Sequence, residues 1–471
     1  MKTIDKVYIN GEFVTPHGTE LFDLINPTNN TKIGQVVLGD EYDTRNAIAA
    51  AKEALKSFSK TTKEQRIEYL KRLHEATSKR SEELTAIMVE EYGGTLQFAR
   101  MSTDLAVNSF LRAIDTLKDF DFIRKVNVSE VMLQPLGVVG IITPWNASNS
   151  FIGNKLATAI AAGCTAVIKP SEMSALQTQV FTECLHEAGL PKGVFNIVNG
   201  RGDVVGAEIT SNSGIAKISF TGSTVVGKTI ARGAVDTMKR VTLELGGKSP
   251  NIILDDADFA KAIPLAVTAC FMNSGQACIA GTRLLVPENR LEEVKALVKA
   301  TVEHVKVDDP RKEDTNVGPM VSKKQYERVQ QYIKLGIEEG AELLIGGEGQ
   351  PKGLEAGNFV KATVFANVTR DMRIAKEEIF GPVLSIITYK TEAEAIEIAN
   401  DTVYGLQAYV SSASFERAKK VASQIDAGRV LINGLNHDPF APFGGFKQSG
   451  IGREFGVYGL EEYLEPKAII G

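Results

Sequence analysis

One cysteine of the chain lies in a stretch that could carry chemistry. Cys278 sits in FMNSGQACIAGTR, among small and polar residues. A thiolate is a strong nucleophile, and its surroundings can lower the pKa of the thiol. A lone cysteine is more often a small, inert side chain that fills a gap in the core. The stretch alone leaves both interpretations open.

A carboxylate and two glycine-rich turns are the other candidates. Glu244 is followed by two glycines in LELGGK. A carboxylate at a strand end can act as a base, although an isolated one is more often solvated or paired. The turns GRGDVVG (200–206) and FTGSTVVG (220–227) suit the approach of a phosphate to a helix N-terminus. The first of them is equally well explained as a tight turn.

Short apolar runs indicate the elements that position these residues. Five of them predict strands, namely VVGIIT, TAVIK, VFNIV, KISFT and RVTLEL. Helix-length segments separate the runs, at 151–162, 174–188, 203–211 and 225–234. This alternation predicts a parallel sheet covered on both faces, with ligands bound beyond the carboxyl ends of its strands. We therefore expect the chemistry directly after these runs.

The first 120 residues are predicted to be mostly helical. RNAIAAAKEALKSF places four alanines and Phe58 on one helix face, and Thr62 with Gln65 has the spacing of a capping box. At 471 residues, with 43% hydrophobic and 24% charged residues, the chain predicts a globular protein of two or three domains.

Composition also argues against several classes of protein. A net charge of −5 without a long basic block argues against a nucleic-acid partner. No secretory signal and no apolar run near the ~20 residues of a membrane span are visible, so we expect no membrane partner. Four cysteines without C-x-x-C spacing favour a reducing cytoplasm over a disulfide framework, and we expect no metal site.

Seven motifs follow one another along the chain: TPWN, IKPSE, FTGSTVVG, LELGGK, FMNSGQAC, EEIFGP and PFGGFKQSGIGRE. Together they resemble the NAD(P)-dependent aldehyde dehydrogenase superfamily over essentially the whole chain. The resemblance implies an α/β fold. A Rossmann-like NAD-binding domain would span 1–120 and 138–245, and a second α/β domain with Cys278 would span 246–435. Small β oligomerisation strands at 121–137 and 455–471 would form a homo-oligomer, dimer or tetramer. The alternative is two edge strands in a monomer.

The resemblance also implies a mechanism. Cys278 would attack the aldehyde and form a thiohemiacetal, whose oxyanion Asn146 and the Cys278 backbone N–H would stabilise. Hydride would pass to the nicotinamide, and water activated by Glu244 would hydrolyse the resulting thioester to a carboxylic acid. Lys155 matches a family lysine associated with proton movement, and Glu454 matches an auxiliary carboxylate. The presence of Glu244 favours this hydrolytic branch over relatives that transfer the thioester to coenzyme A.

Cofactor and substrate contacts carry over in the same way. A glutamate at the adenosine ribose accepts hydrogen bonds from a free 2′-hydroxyl and repels a 2′-phosphate, so NAD is favoured and NADP remains possible. The implied cofactor residues are Trp145 (equally plausible in the core), Lys169, Glu172, Gly222, Ser223, Gly246, Glu378 and Phe380. The implied tunnel residues are Ala147, Phe151, Asn154, Met272, Ala277, Ile279, His437 and Phe443. Few of the latter are aromatic and two are polar, which predicts medium-sized or polar aldehydes. His437 could equally lie in solvent at the tunnel mouth.

Two other classes of protein fit parts of this pattern. A cysteine hydrolase would need a histidine beside the thiol, and none of the histidines lies in a hydrolase signature. They are His17, His74, His186, His304 and His437. A non-catalytic binding protein with this fold would be expected to lose Cys278, Asn146 or Glu244, and the chain has all three.

Overall fold

The computed structural model describes residues 2–471, which begin with strands rather than helices. These are β1 (Lys2–Ile4), β2 (Val7–Ile9), β3 (Glu12–Val14), β4 (Glu20–Asn26) and β5 (Thr31–Leu38). Strands β1, β5 and β4 form a separate sheet in that order. The prediction of a mostly helical N-terminal region is therefore wrong for residues 2–38. These strands are short and mix exposed polar with buried apolar residues, so they leave no continuous apolar run.

Four helices and a hairpin follow. They are α1 (Glu41–Phe58), α2 (Lys63–Ser78), α3 (Ser81–Tyr92), α4 (Leu96–Lys118), β6 (Ile123–Val126) and β7 (Ser129–Pro135). The predicted capping box is confirmed, because the Thr62 side chain accepts from the Gln65 backbone N–H and the Gln65 side chain accepts from that of Thr62. The predicted face of α1 buries Ala47, Ala51 and Phe58.

The predicted strands form the centre of an eight-stranded sheet. They are β8 (Val138–Ile142), β9 (Thr165–Lys169), β10 (Phe195–Ile197), β11 (Lys217–Thr221) and β12 (Arg240–Glu244), joined by α5 (Ser148–Ala162), α6 (Ala175–Glu187), α7 (Ala207–Ser211) and α8 (Thr224–Val235). The order is β12-β11-β8-β9-β10, all parallel, and β2 and β3 extend the sheet beyond β10. A π-helical turn at Gly202–Gly206 opens α7. The parallel sheet predicted from the sequence is confirmed.

A second, seven-stranded sheet follows. Its strands are β13 (Pro250–Ile253), β14 (Arg283–Pro287), β15 (Glu342–Ile345), β16 (Thr363–Ala366), β17 (Val383–Tyr389), β18 (Gln407–Ser411) and β19 (Arg429–Ile432). Its helices are α9 (Phe259–Phe271), α10 (Leu291–Val302), α11 (Lys323–Glu338), α12 (Arg373–Lys376), α13 (Glu392–Asn400) and α14 (Phe415–Ala422). The order is β15-β16-β17-β14-β13-β18-β19, and only the β15–β16 pair is antiparallel.

The C-terminal residues return to earlier parts of the chain. They form β20 (Gly450–Ile451), α15 (Gly456–Glu461) and β21 (Leu464–Ile470). Strand β20 pairs with β12, and β21 joins β7 and β6 in a three-stranded antiparallel sheet. Short 3-10 helices lie at Glu172–Ser174, Met272–Gly275, Glu288–Arg290 and Lys447–Ser449.

Both large sheets are covered by helices on both faces, as parallel sheets require. Strands β8, β9 and β11 are buried at every residue. The predicted mixed α/β architecture is confirmed. Among residues 2–471, no helix is long and apolar enough to cross a membrane. The same residues contain no cluster of three or more His, Cys, Asp or Glu side chains arranged to hold a metal ion.

Candidate active site

Cys278 lies between helix α9 and strand β14, just after a strained turn. Asn273 and Ser274 have φ angles of 53° and 55°, a region that residues with side chains rarely adopt. Gly275 has a φ of 71°, and a Cβ there would lie 2.2 Å from the carbonyl of Gly381. Such strain persists only where the surroundings over-determine the backbone. Cys278 as a residue is half-buried.

A buried hydrogen-bond network holds this turn. Tyr92 of α3 donates its hydroxyl to Asn273 Oδ1 at 2.8 Å. Gln276 Nε2 donates to the same hydroxyl at 3.3 Å, and Gln276 Oε1 accepts from the backbone N–H of Val321 at 3.0 Å. Helix α3 therefore fixes the conformation of a loop that follows it by more than 180 residues.

Replacing Tyr92 by Phe is expected to lower the free energy of unfolding by about 1–3 kcal/mol, because Asn273 Oδ1 and Gln276 Nε2 each lose a buried partner. Urea unfolding of the two proteins measures the difference. Tyr42→Phe is the matched control, since Tyr42 is 54% exposed. Equal stability of the Tyr92→Phe variant and the wild type would mean that the network does not support the turn.

Asn146 follows β8 and reaches the same loop. Its Nδ2 donates to the carbonyl of Gln276 at 2.8 Å, and Asn273 Nδ2 donates to the carbonyl of Asn146 at 3.3 Å. The side chain is buried. An amide nitrogen carries two protons. The first is used to hold the side chain in place, so the second can donate to an oxygen bound beside Cys278.

Glu244 ends β12 and is buried. Neither of its carboxylate oxygens has a hydrogen-bond partner among the described residues, and burial raises its pKa well above the usual range. The glycines that follow bring two further groups close. A Cβ at Gly246 would lie 2.5 Å from the carboxylate of Glu378, and one at Gly247 would lie 2.3 Å from the carbonyl oxygen of Cys278. Only glycine permits this approach.

The thiol differs from the sequence-based expectation in one respect. Burial, together with the negative charges of Glu378 and Glu244, raises the pKa of Cys278 to about 12. The positive charge of Arg429 acts in the opposite direction. The surroundings therefore raise this pKa rather than lower it. The thiol is protonated at neutral pH, and a base must take its proton as the sulfur reacts.

Lys155 and Glu454 form a buried ion pair beside Glu244. Lys155 lies on α5, contacts Glu454 Oε1 and donates to Ser219 Oγ at 3.0 Å. Asn154 Nδ2 donates to the other oxygen of Glu454 at 3.4 Å. The charge of Glu454 raises the pKa of Glu244 and that of Lys155 lowers it. The pair is thus electrostatically coupled to the carboxylate at the end of β12.

Two predicted cofactor positions lie at the carboxyl ends of β9 and β11. Lys169 Nζ donates to Pro170 O at 2.7 Å and to Glu172 Oε2 at 3.5 Å. Gly222 leads into Ser223, whose hydroxyl caps α8 by accepting from the backbone N–H of the third helical residue. A Cβ at Gly222 would lie 2.4 Å from the ring of Phe220. The first turn of α8 is exposed, as an anion-binding helix N-terminus must be.

Glu378, Phe380 and Trp145 lie on the other side of Gly246. Glu378 Oε1 accepts from the backbone N–H of Gly247 at 3.0 Å, and burial raises the pKa of Glu378 to about 6. Phe380 has a φ of 63°. The rings of Trp145 and Phe380 meet edge to face at 5.5 Å. The ring centroid of Trp145 also lies 5.8 Å from that of Tyr92, so Trp145 borders the cleft and packs against the core.

The predicted tunnel residues are all at least partly exposed. Ala147, Phe151 and Asn154 lie near one another at the start of α5, Met272, Ala277 and Ile279 flank Cys278, and His437 and Phe443 lie in the loop after β19. The His437 ring lies 5.4 Å from the ring of Phe455. Burial and the charges of Arg429 and Arg112 lower its pKa to about 4, so the ring is neutral.

Sequence reasoning missed Tyr92, Gln276 and Arg429. Tyr92 and Gln276 act through contacts between distant parts of the chain, which no local pattern announces. Arg429 begins β19, and its guanidinium lies 5.0 Å from the ring of Phe443. The available signal was that a charged residue begins the short apolar run RVLI, where a side chain that only packs would be expected to be apolar.

The sequence profile of the aldehyde dehydrogenase family matches residues 13–469, nearly the whole chain. The chain belongs to the aldehyde dehydrogenase family. It is 45% identical to 3-succinoylsemialdehyde-pyridine dehydrogenase of a Pseudomonas species, over 100% of this chain and 99% of that protein. The resemblance predicted from the seven motifs is confirmed, and the chain is an enzyme that acts on aldehydes.

Solved structures of this aldehyde dehydrogenase family share the fold. Aldehyde dehydrogenase C from Pseudomonas syringae, a cysteine-to-alanine variant in complex with NAD+ and octanal, matches with a TM-score of 0.98 and 46% identity, over 99% of this chain and 96% of that chain. An aldehyde dehydrogenase from Mycobacterium tuberculosis complexed with NAD+ matches with a TM-score of 0.97 and 38% identity, over 100% and 98% of the two chains. The predicted cofactor, NAD, agrees with both.

Proposed function

We propose that this aldehyde dehydrogenase oxidises an aldehyde to a carboxylic acid with NAD as the cofactor and Cys278 as the nucleophile. One observation carries the proposal. The loop of Cys278 receives both the side chain of Asn146 and the chain that follows Glu244, a buried carboxylate without a partner among the described residues. These are the nucleophile, the oxyanion donor and the base that the reaction requires.

The first step is attack of the Cys278 sulfur on the aldehyde carbon. Because the pKa of the thiol is raised to about 12, its proton passes to a base as the bond forms, and Glu244 is the carboxylate that we propose receives it. The aldehyde oxygen becomes an oxyanion. The free amide proton of Asn146 and the backbone N–H of Cys278 stabilise this charge. The product is a thiohemiacetal.

The residues at the strand ends fit a dinucleotide. Lys169 and Glu172 offer a donor and an acceptor to a ribose, and the capped N-terminus of α8 suits a pyrophosphate. Glu378 and Phe380 border the reacting end, where Gly246 leaves room. NAD, when bound, supplies the acceptor for the hydride that the thiohemiacetal releases. Cys278 is then left as a thioester.

Hydrolysis of the thioester completes the turnover. Glu244 first passes on the proton that it received from Cys278. As a carboxylate again, it removes a proton from water, which attacks the thioester carbon, and it returns that proton to the departing sulfur, so that the carboxylic acid and the Cys278 thiol are released. Aldehyde, NAD+ and water thereby give acid, NADH and a proton. The product proton is the one that Glu244 took from Cys278, and the carboxylate of Glu454 is proposed to accept it before hydrolysis, with Lys155 holding that carboxylate in place.

The test is the absorbance of reduced cofactor formed with NAD or NADP across short and long aliphatic, aromatic, hydroxy and amino aldehydes, with and without coenzyme A. Turnover with NAD that is independent of coenzyme A is the expected result. Binding of NAD without oxidation of any aldehyde would contradict the proposal and favour a binding protein. A requirement for coenzyme A would show that the thioester is released by acyl transfer to coenzyme A rather than by hydrolysis.

Cofactor preference is expected to depend on Glu172. Its Oε1 lies 3.8 Å from Nη1 of Arg201. Once the carboxylate charge of Glu172 is removed, the Arg201 cation can attract the 2′-phosphate of NADP. Glu172→Gln is expected to raise the ratio of kcat/KM for NADP to that for NAD about tenfold or more, since 1.4 kcal/mol of lost repulsion is a factor of ten. The double variant Glu172→Gln/Arg201→Ala is the control, and it should lose the gain. An unchanged ratio in Glu172→Gln would show that another group selects the cofactor.

The remaining features support an oligomer in a reducing compartment. The sheet of β6, β7 and β21 exposes Ile123, Val126 and Ile470, apolar side chains that a partner copy would cover. We propose a homo-oligomer, dimer or tetramer, built through this sheet.

The four cysteines are free thiols, which suits the cytoplasm. The two large sheets support the division into a cofactor domain (1–120 and 138–245) and a catalytic domain (246–435), with 121–137 and 455–471 as the oligomerisation strands.

A further inference from the structure

Arg429 is a half-buried cation whose orientation is fixed by other side chains. Its Nε donates to Gln407 Oε1 at 2.8 Å, and Nη2 donates to the same oxygen. Nη1 contacts Nδ1 of His437, whose lowered pKa leaves that nitrogen an acceptor. The guanidinium also lies over the ring of Phe443, 5.0 Å from its centre. Four contacts thus hold the group in one place.

The charge of Arg429 has no counter-ion in the described part of the chain. None of the ion pairs found among residues 2–471 includes its guanidinium. Burial lowers its pKa, which reports the cost of holding the charge away from water. A guanidinium has five N–H groups, and three are committed to Gln407 and His437. One proton on Nη1 and one on Nη2 are left for another acceptor.

Arg429 is linked to the loop of the nucleophile. The charge of Arg429 lowers the pKa of Cys278, and the charge of Cys278 raises that of Arg429, so the two groups share one electrostatic environment. Gln407, which holds Arg429, also hydrogen-bonds the hydroxyl of Tyr409, and that hydroxyl donates to the carbonyl of Ile279 at 2.8 Å. The residue after Cys278 is therefore tied to the same network.

We propose that Arg429 binds the distal carboxylate of an aldehyde acid, so that the substrates are ω-carboxy aldehydes (semialdehydes). This inference rests on the proposed function. The two remaining N–H groups, one on each terminal nitrogen, can both donate to a carboxylate, which a single ammonium does not match as well. An alkyl tail in the same place would cover the guanidinium without pairing it, and an unpaired buried charge is costly. The subsite therefore selects for the acid and against the plain aldehyde of equal length.

The experiment compares kcat/KM for succinic and glutaric semialdehydes with kcat/KM for butanal, pentanal and octanal. The wild type is expected to prefer each semialdehyde over the alkanal of equal length by about tenfold or more, the size of one charge-assisted hydrogen bond. Arg429→Gln should abolish that preference, because kcat/KM for the semialdehydes should fall about tenfold or more further than kcat/KM for the alkanals. Arg429→Lys should keep part of it. Arg100→Gln, which removes an exposed arginine paired with Glu313, is the control and should keep all of it.

A binding measurement separates selectivity from folding. Succinate should slow the alkylation of Cys278 by iodoacetamide in the wild type and not in Arg429→Gln. Equal losses on all aldehydes in Arg429→Gln, with succinate protection intact, would overturn the proposal. So would a wild type that oxidises alkanals as well as semialdehydes. If no aldehyde is oxidised, the proposed function fails, and succinate protection still decides whether Arg429 binds a carboxylate.

Discussion

Cys278→Ala is expected to reduce turnover of every aldehyde by about four orders of magnitude or more, because removing a nucleophile leaves only binding and oxyanion stabilisation. NAD binding should be unchanged, since the side chain contributes nothing to the strand ends at Lys169 and Gly222. Absorbance of reduced cofactor measures the first effect. Quenching of the fluorescence of Trp145, the single tryptophan, measures the second.

Cys270→Ala is the matched control for this prediction. Cys270 lies eight residues earlier on α9, is fully buried, and burial raises its pKa to about 12. Its loss creates a small cavity and leaves the reaction intact, so turnover should stay within a few-fold of the wild type. Substantial aldehyde oxidation by Cys278→Ala would contradict the covalent mechanism.

The second large effect is expected for Glu244→Gln. Steady-state turnover should fall by about 10²–10⁴-fold, because water in the closed site loses its general base. The first turnover should survive, although more slowly, and should release a burst of about one reduced cofactor per site, as expected when a covalent intermediate accumulates. Stopped-flow absorbance records the burst and the steady state in one trace.

Hydroxylamine provides the control for Glu244→Gln, because it attacks a thioester without a general base. It should restore steady-state release in the variant and change the wild type little. Glu461→Gln, which removes an exposed carboxylate paired with Arg124, should behave as the wild type. A variant without a burst, and unaffected by hydroxylamine, would assign Glu244 to the attack step alone.

The pH profile of Glu244 follows from the same carboxylate. Only its deprotonated form is a base, and burial holds its pKa well above 4.5. The active fraction therefore grows as pH rises through the raised pKa and falls as pH drops below it. The steady-state rate of the wild type should rise with pH in that window, and the rate of Glu244→Gln should not.

The strands near the site were predictable because their signal is local. TAVIK and KISFT coincide with β9 and β11, since each is a short run of buried residues between helices. Strands β1 to β5 were missed because three of them have only three residues and the two longer ones mix exposed with buried residues. Their pairing partners, not their composition, make them strands.

The chemistry of the site was less predictable than its residue list. The raised pKa of Cys278 depends on burial and on the carboxylates of Glu378 and Glu244, which only the folded chain brings near it. The orientation of Arg429 is set by hydrogen bonds with Gln407 and His437, and neither residue forms a sequence motif with it. The pKa of a side chain in a folded protein depends on the groups around it in space, and a single sequence does not show which groups those are.

The glycine pair after Glu244 has a mechanical consequence. Residues 245–249 join the last parallel strand of one large sheet to the first strand of the other, and the carbonyl of Cys278 lies against Gly247 within that joint. In a rotation of the two sheets about this joint, the atoms nearest the joint move least. Glu244 and the loop of Cys278 both contact or border the joint, so such a rotation changes their separation little.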